Sequence, residues 1–469
     1  MNSAVFLPAL SGLLLSLAFP KAGISILAWG AAAPLFAAVF SAKRPREAAL
    51  YGFVFGTVYF LAVFSWVTSL SRWVGAFAFL AWAALSVFQA LFIVLFCLAA
   101  YFTVKKTGFG FVSSLAVPLL WVLSEMARSR GEFAAAGGVL GYSQYLNPLV
   151  IQTASLFRVY GVSYVIIACN FALASLFLEK WSIPKAKRPV AFFLAILSSS
   201  LAFGAWRLNS PLVKDQSKSL RIVLVQPDFD QSYKMDPASS LPMLRTLNDL
   251  TAGSKPFRPH VVIWPETAVM GFPMRSSPVM EILARTASGS DAHLVTGGFF
   301  YDSGKFYNSA FSVSPSGYIT SRYDKEHLMP FGEYLPFRQL LYPILKGTGY
   351  AERDQSSNKI PVPLYIGGRK AGMLICFESL FDDLAATRAK KADFLLTITN
   401  DAWFGNSSAA EHHIMAGPLR AVENKKYFVQ AANSGISAVI DPYGRFVARS
   451  FLSERTVVES VIYPDNAVR

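Results

Sequence analysis

The residues best suited to catalysis stand at the ends of short apolar runs in the second half of the sequence. HVVIW is followed by Pro265 and Glu266, GMLI by Cys376, and LLTIT by Asn400 and Asp401. Runs of this kind predict buried strands, and open α/β sheets place their reacting groups at the carboxyl ends of strands. A carboxyl, a thiol and an amide at three such ends form a candidate site.

Cys376 is the candidate nucleophile. Cys97 and Cys169, the other two cysteines, lie in apolar stretches and are expected to be small core residues. Position alone leaves Cys376 open to two interpretations, a reactive thiol or a buried inert one. A cysteine nucleophile needs a proton acceptor and a cation for the oxyanion, and Glu266 and Lys325 are the candidates. Taken singly, each of these charges is more often a solvated side chain or an ion-pair partner.

The histidines offer no convincing alternative base. His412 and His413 are adjacent on a predicted helix, and neighbouring side chains on a helix do not converge. We therefore expect no metal site, and we interpret both as surface or supporting residues.

These candidates belong to a region that alternates short β-rich runs with amphipathic helical stretches. From Ser219 onward the strand-like runs include RIVLVQ, HVVIWPE, HLVTGGFF, SAFSVS, GMLICFE, FLLTITND and YFVQAAN. Strands alternating with helices over about 250 residues predict one α/β domain, which we assign to residues 211–469.

Composition separates this region from the one before it. Only 15% of the 469 residues are charged and 53% are apolar, which excludes disorder, and three cysteines exclude a disulfide scaffold. Residues 1–210 hold 15 Lys+Arg and 4 Asp+Glu, a net charge of +11, against +3 for the remainder. Because the basic residues fall between long apolar runs, we predict a membrane protein and no nucleic-acid partner.

Residues 1–210 are predicted to form a transmembrane domain of about seven helices. The apolar stretches are 4–20, 22–42, 48–71, 75–104, 107–124, 159–178 and 189–206. Residues 133–157 contain paired glycines, Asn147 and Pro148, so we interpret them as an interfacial or re-entrant segment. Nine basic residues fall in the loops on the amino-terminal side and five in the opposite loops, which predicts that the second domain lies outside the cytoplasm.

Several motifs together resemble a known family. WPET (264–267), DKEHLMPFGEYLPF (324–337), ICFES (375–379) and NDAWFG (400–405) resemble the signature blocks of the nitrilase, or carbon–nitrogen hydrolase, superfamily. The preceding spans, the HLMPFGEYLP block and GYSQ (141–144) are similar to its membrane-integrated branch, the apolipoprotein N-acyltransferase family.

The resemblance implies a multi-span α-helical membrane domain joined to an α-β-β-α sandwich with a Glu–Lys–Cys triad. Glu266 matches the base, Lys325 the lysine that stabilises the oxyanion and Cys376 the nucleophile. The supporting positions that it implies are Glu333, the second glutamate of the family, Glu378, a further essential acid, and Asn400.

The family's activity is the last step of bacterial lipoprotein maturation. The resemblance implies transfer of an acyl chain from a phospholipid, phosphatidylethanolamine, through a cysteine thioester to the amino group of the diacylglyceryl-cysteine that begins an apolipoprotein. It also implies no cofactor or metal, and a place in the bacterial inner membrane with the catalytic domain on the periplasmic side. The partners are therefore the phospholipid donor, the diacylated apolipoprotein and the bilayer.

The stretch after the lysine block has apolar residues near helical spacing: Leu340, Leu341, Ile344 and Leu345. Two interpretations remain open, an ordinary amphipathic helix packed on the core or a substrate arm that dips into the outer leaflet.

The sequence also departs from the family pattern. Phe377 stands where the family often has tyrosine and Met235 where its best-known members have tryptophan, and no further apolar span follows VVESVIYP. Two other functions stay open on the residues, a membrane-anchored nitrilase-type amidase acting on a small amide and a transporter or sensor with an inactive sandwich. The transporter or sensor interpretation requires charged residues inside the spans. Such residues are scarce there, and Glu125 lies at the end of a span.

Overall fold

The computed structural model describes residues 3–212, 214–271, 274, 276–346, 354–360 and 362–464, with the backbone alone at 3, 4, 344 and 345. The chain forms two compact units, Met1–Ser210 and Pro211–Arg469. We call them the helical unit and the sandwich unit.

The helical unit consists of α-helices joined by short loops and 3₁₀ turns. Its helices are α1 (Ser3–Ser16), α2 (Ala33–Ser41), α3 (Pro45–Val63), α4 (Ser71–Val74), α5 (Phe77–Thr107), α6 (Phe111–Arg128), α7 (Pro148–Ile151), α8 (Ala154–Leu178) and α9 (Ile183–Asn209). Within the described residues, α3, α5, α6, α8 and α9 are long and apolar enough to cross a membrane. Many of their large apolar side chains face outward, which is typical of helices that contact lipid.

The first two predicted spans contain shorter helices than their apolar stretches suggested. α1 covers 14 residues, and the second stretch is divided between a 3₁₀ turn, Ser25–Trp29, and the nine-residue α2. A straight crossing takes about 20 helical residues. The total of about seven crossings therefore stays a prediction, with five of them matched by long helices.

The segment between α6 and α8 is held by buried polar side chains rather than by a long helix. The Arg128 guanidinium donates to the carbonyl oxygens of Ala135, Gly137 and Gly138 at 2.6–3.1 Å. Glu125 accepts from the Leu140 amide at 2.7 Å. These contacts satisfy backbone groups that a non-helical segment leaves unpaired in an apolar setting.

The sandwich unit contains two six-stranded sheets, ordered β12-β1-β2-β3-β4-β5 and β11-β10-β9-β8-β7-β6. The strands are β1 (Leu220–Gln226), β2 (Val261–Ile263), β3 (His293–Asp302), β4 (Lys305–Val313), β5 (Ile319–Asp324), β6 (Leu364–Ile366), β7 (Arg369–Ile375), β8 (Phe394–Thr399), β9 (Phe428–Ala432), β10 (Ala438–Ile440), β11 (Phe446–Arg449) and β12 (Thr456–Ile462). The helices are α10 (Gln231–Met235), α11 (Ser240–Gly253), α12 (Ser277–Ser290), α13 (Arg338–Leu345), α14 (Asp382–Ala389), α15 (Ala409–Ile414) and α16 (Ala416–Asn424).

The sheets pack face to face and helices cover both outer faces. One apolar cluster joins the inner faces of the two sheets. A second packs α11 and α12 on the first sheet, and a third packs α14, α15 and α16 on the second. A helical unit followed by an α-β-β-α sandwich is the predicted fold class, which is thereby confirmed.

Parallel pairing at the centre of each sheet brings the predicted strand ends together. β1, β2 and β3 run parallel in one sheet, and β7, β8 and β9 run parallel in the other. The carboxyl ends of parallel neighbours meet at one edge. Glu266, Cys376 and Asn400 follow β2, β7 and β8 at such edges.

Candidate active site

The Glu266 carboxylate is buried, with 5% of the residue exposed. Its Oε1 accepts from the Asn308 side-chain amide at 2.7 Å, and its Oε2 accepts from the Asn400 backbone amide at 2.9 Å. One donor comes from β4 and the other from the end of β8. Because each oxygen has its own donor, the carboxylate plane is fixed.

Lys325 follows β5 directly and lies between two carboxylates. Its Nζ is 2.8 Å from Glu333 Oε1 and 3.9 Å from Glu266 Oε1. Glu333 is itself held, since its Oε2 accepts from the Met329 backbone amide at 2.8 Å. Lys325 is only 3% exposed, so both carboxylates offset the cost of burying its charge.

Cys376 opens a 3₁₀ turn, Cys376–Leu380, directly after β7. Its φ is +57°, in the left-handed region that is strained for a residue with a side chain. The Ile375 backbone amide donates to Glu378 Oε2 at 2.7 Å, which ties the start of the turn to its third residue. The thiol thus lies on a sharp bend at a strand end, with the residue 8% exposed.

Glu378 connects this turn to the segment that carries Lys325. Its carboxylate accepts from the Tyr323 hydroxyl at 2.9 Å and from the backbone amides of Glu326 and His327 at 2.8 and 2.9 Å. A fully buried carboxylate with this many donors is a structural link. It holds Lys325 and Cys376 in a fixed relation across the two sheets.

A buried His413–Asp401 pair lies beneath the nucleophile. His413 Nε2 is 2.9 Å from the Cys376 carbonyl oxygen, and its Nδ1 is 3.0 Å from Asp401 Oδ1. Burial lowers the pKa of His413, but the charge of Asp401 and the hydrogen bonds to Asp401 and to the Cys376 carbonyl together raise that pKa above its usual value. Both ring nitrogens thus lie within hydrogen-bond distance of acceptor oxygens, and the contact of Nε2 supports the strained Cys376 backbone.

Electrostatic coupling joins the three predicted triad residues. Burial raises the pKa of Glu266, although the Lys325 charge opposes it. Burial lowers the pKa of Lys325, but Glu333 and Glu266 together raise it above its ordinary value. Burial and the Glu266 charge hold the pKa of the Cys376 thiol well above its usual range, against Lys325. The site therefore combines a neutral thiol, a fixed cation and a carboxylate of increased basicity.

Cys376, Asp401 and His413 also offer ligand atoms within 4.8 Å of one another. Both nitrogens of His413 already face protein partners, the Asp401 carboxylate and the Cys376 carbonyl. A ring nitrogen that is engaged in a hydrogen bond must give up that bond before it can coordinate a metal. We therefore interpret the cluster as a hydrogen-bond network.

The structure brings together most of the predicted site residues. Glu266, Lys325, Glu333 and Asn400 are joined by direct contacts, and Glu378 links Lys325 to Cys376 through the backbone. The predicted arm lies apart from this buried cluster, on α13, where Leu340 is 70% exposed and Leu341 half-buried. The side chains of Ile344 and Leu345 lie outside the described residues.

One sequence interpretation is wrong in part. His412 and His413 are both buried, 4% and 0% exposed, so the surface alternative fails. The physical reason is that α15 packs against the nucleophile turn, so this helix has no freely solvated face for the two rings.

Sequence reasoning missed Asn308, Tyr323 and Lys234. Asn308 and Tyr323 lie inside strands, where their spacing resembles that of ordinary sheet residues. Lys234 is a buried lysine on α10, 2% exposed, and its neighbour Met235 alone was noted. A polar residue within an apolar strand, as in YNSAFSV, is the signal that could have found Asn308.

Two family models match the chain and agree with this geometry. Residues 225–465 match the carbon–nitrogen hydrolase model, and residues 11–172 match the model described as the apolipoprotein N-acyltransferase N-terminal domain. The first of these matches covers more than half of the chain, so the protein belongs to the carbon–nitrogen hydrolases.

Full-length relatives narrow the class. An apolipoprotein N-acyltransferase of Geobacter metallireducens is 32% identical over 97% of this chain and 88% of its own length. One of Sinorhizobium medicae is 32% identical over 98% and 90%. The chain belongs to the apolipoprotein N-acyltransferase family, and the resemblance found in the motifs is confirmed.

Among solved structures, the chain is similar to Nit3 of Saccharomyces cerevisiae, a member of branch 10 of the nitrilase superfamily. The identity is 17%, the TM-score is 0.42, and the match covers 54% of this chain and 92% of Nit3.

Proposed function

We propose that this protein is a membrane N-acyltransferase that moves an acyl chain from a phospholipid to the amino group of the first cysteine of a diacylated apolipoprotein. The proposal rests on its family membership. The observation that carries its mechanism is the buried contact set of Glu266, Lys325 and Glu333 beside the strained Cys376 turn. The reaction follows a ping-pong course through a thioester.

In the first half-reaction Cys376 attacks the ester carbonyl of the phospholipid. Glu266 takes the thiol proton as the carbon–sulfur bond forms, because the raised pKa of the thiol leaves it neutral before attack. Lys325 stabilises the oxyanion. The ester carbon–oxygen bond then breaks, and Glu266 returns the proton to the oxygen of the lysophospholipid, which leaves an acyl thioester on Cys376.

In the second half-reaction the amino group of the apolipoprotein attacks the thioester. Glu266 accepts a proton from the amine as the carbon–nitrogen bond forms, and Lys325 again balances the oxyanion. The carbon–sulfur bond breaks, and the proton passes from Glu266 to the departing sulfur. The thioester keeps the acyl group activated, so no nucleotide or redox cofactor enters the chemistry.

The donor is proposed to be phosphatidylethanolamine, and the acceptor a diacylglyceryl-cysteine. The five long apolar helices support access to both lipids from a bilayer. The excess of basic residues in the loops on the amino-terminal side supports an inner-membrane protein whose sandwich unit, residues 211–469, lies on the periplasmic side.

A nitrilase-type amidase is the less favoured function. Water would replace the amine on the same triad, but several membrane helices serve no purpose for a small soluble amide. Matching relatives over nearly the whole chain are also named as acyltransferases.

A labelled-lipid experiment tests the proposal. Purified protein is incubated with phosphatidylethanolamine labelled in its acyl chain, and acyl-protein is measured before and after hydroxylamine, which cleaves thioesters. We expect a hydroxylamine-sensitive adduct in the natural protein and none in Cys376→Ala. No adduct in the natural protein, or the same adduct in Cys376→Ala, overturns the mechanism.

A further inference from the structure

The short helix α10 lies against the candidate active site with two buried polar side chains. Gln231 and Lys234 are 1% and 2% exposed, and their spacing places them on one face of the helix. Tyr233 and Met235 are 43% and 52% exposed. Asp230 caps the start of the helix, and its carboxylate accepts from the Ser232 amide at 2.8 Å.

Lys234 contacts the loop that carries Glu266. Its Nζ donates to the Glu266 carbonyl oxygen at 3.2 Å and to the Thr267 hydroxyl at 3.0 Å. Thr267 has a φ of +49°, a left-handed conformation that needs support from its surroundings. A buried lysine is costly unless its charge is compensated, and among the described residues its ammonium group donates to this loop.

Gln231 acts on the same carboxylate through one intermediate. Its side-chain carbonyl accepts from Asn400 Nδ2 at 2.8 Å, and the Asn400 backbone amide donates to Glu266 Oε2 at 2.9 Å. Asn433 holds the other side of the Asn400 amide at 2.9 Å. Gln231 and Asn433 therefore hold the Asn400 side chain from both sides, and this restrains the residue whose backbone amide donates to Glu266.

We infer that α10 is a positioning element for the catalytic base. Lys234 fixes the main chain of Glu266 and supplies a second positive charge near its carboxylate. Gln231 holds the side chain of Asn400, whose backbone amide orients the same carboxylate. Both are positioning residues, because their contacts are with the base loop and with Asn400. The inference rests on the proposed function, in which Glu266 is the base.

The charges around Glu266 allow the contribution of Lys234 to be distinguished from that of Gln231. Lys325 faces it from the end of β5, Glu333 from the following loop, Cys376 from the end of β7 and Lys234 from α10. Burial raises the pKa of Glu266, and Lys234 is among the groups that lower it. Burial lowers the pKa of Lys234 itself to about 7, against the Glu266 charge. Below neutral pH Lys234 is a cation that favours the Glu266 carboxylate.

The test measures kcat and KM for acyl transfer from labelled phospholipid to a diacylated lipopeptide between about pH 5 and 9. Lys234→Met is expected to lower kcat by about ten- to a hundredfold at unchanged KM. It should also move the acidic limb of the pH profile to higher pH, since removing a positive charge raises the pKa of Glu266. Gln231→Leu should lower kcat without moving the limb, because no charge is lost.

Two further variants and one further measurement keep the outcomes distinct. Lys390→Met makes the same change at an exposed site and should leave the pH profile unchanged. Lys234→Arg keeps the positive charge and should hold the acidic limb near its natural position. A melting curve checks that each variant is folded. If folded Lys234→Met matches the natural protein at every pH, the inference fails while the proposed function stands. If the natural protein forms no Cys376 adduct, the proposed function fails first.

Discussion

Glu333 offers a sharp test of how the lysine is used. The mutation Glu333→Gln keeps the side-chain shape but removes the charge 2.8 Å from Lys325 Nζ. Lys325 then loses its nearest counter-ion and its fixed position, so the oxyanion is less well stabilised. We expect kcat to fall by about a hundredfold or more with little change in KM. Steady-state rates with phospholipid and lipopeptide check this.

Glu281→Gln is the matched control, because Glu281 forms an exposed ion pair with Arg285 at 2.7 Å on α12. Exposed pairs of this kind contribute little, so the control should match the natural protein. Equal rates for the two variants would contradict the assigned role of Glu333.

The buried His413–Asp401 pair predicts a pH dependence of stability. The pKa of His413 is raised in the folded protein above its unfolded value, so protonation favours folding. The stabilisation is complete below about pH 6.5 and is lost as pH rises through the raised pKa. The melting temperature of His413→Gln in detergent should therefore fall furthest below that of the natural protein on the acidic side.

His260→Gln supplies a control of opposite sign. Burial lowers the pKa of His260, so its neutral form contributes stability that is lost as pH falls. A loss for His413→Gln that is constant from acidic to alkaline pH would show that His413 is neutral in the folded protein.

The contacts missed from the sequence are all between residues distant along the chain. Asn308 reaches Glu266 across 42 positions, His413 reaches Cys376 across 37, and Lys234 reaches Glu266 across 32. Local pattern placed Glu266, Cys376 and Asn400 at strand ends because strand burial and strand termination are local properties. It could not place a side chain whose role depends on the neighbouring strand or helix.

At the scale of elements, β3 and the loop that carries Glu266 approach unusually closely at Gly297. A Cβ at this position would lie 2.6 Å from the Thr267 nitrogen and 2.7 Å from Glu266 Cα. Gly297→Ala must therefore displace the base loop. Because small displacements of a catalytic group are costly, we expect kcat to fall by about a hundredfold, as measured by single-turnover acylation of Cys376.

Gly253→Ala is the comparison for that variant. Gly253 ends α11, and a Cβ there would meet no atom within 4 Å. This substitution should leave acylation unchanged, whereas normal acylation by Gly297→Ala would mean that the loop tolerates movement.

The α13 helix carries the proposed substrate arm. Leu340→Asp places a charge at a leucine that is 70% exposed. If the helix inserts into the outer leaflet, turnover on phospholipid vesicles should fall about tenfold or more while turnover in detergent is retained, because burying a charge in lipid is costly. Gln339→Asp, on the same helix at another exposed position, controls for the added charge. Unchanged turnover of Leu340→Asp on vesicles would contradict the interpretation of α13 as a substrate arm.

For the whole molecule, the number of basic residues in the loops predicts the orientation in the membrane. A reporter that is active only outside the cytoplasm should be active when fused after Arg469 and inactive when fused after Lys106, because Lys105 and Lys106, in the last turn of α5, belong to the basic side. Activity at Lys106, or none at Arg469, reverses or breaks the topology.

The amino-acid composition predicted the presence of the helical unit better than it predicted each individual membrane crossing. The apolar stretches correctly located α3, α5, α6, α8 and α9, since hydropathy over about 20 residues reflects the bilayer itself. It could not give the lengths of α1 and α2, because a buried apolar residue and a lipid-facing one have the same hydropathy.

The burial of Cys376 has a consequence for timing. With the residue 8% exposed on a turn fixed by Glu378 and His413, an acyl group attached to the sulfur would be shielded from bulk water. In the proposed reaction, the thioester would then persist, with little hydrolysis, until the amine of the acceptor arrives. Acylation of the thiol and delivery of the acyl group would thereby become separate events in time.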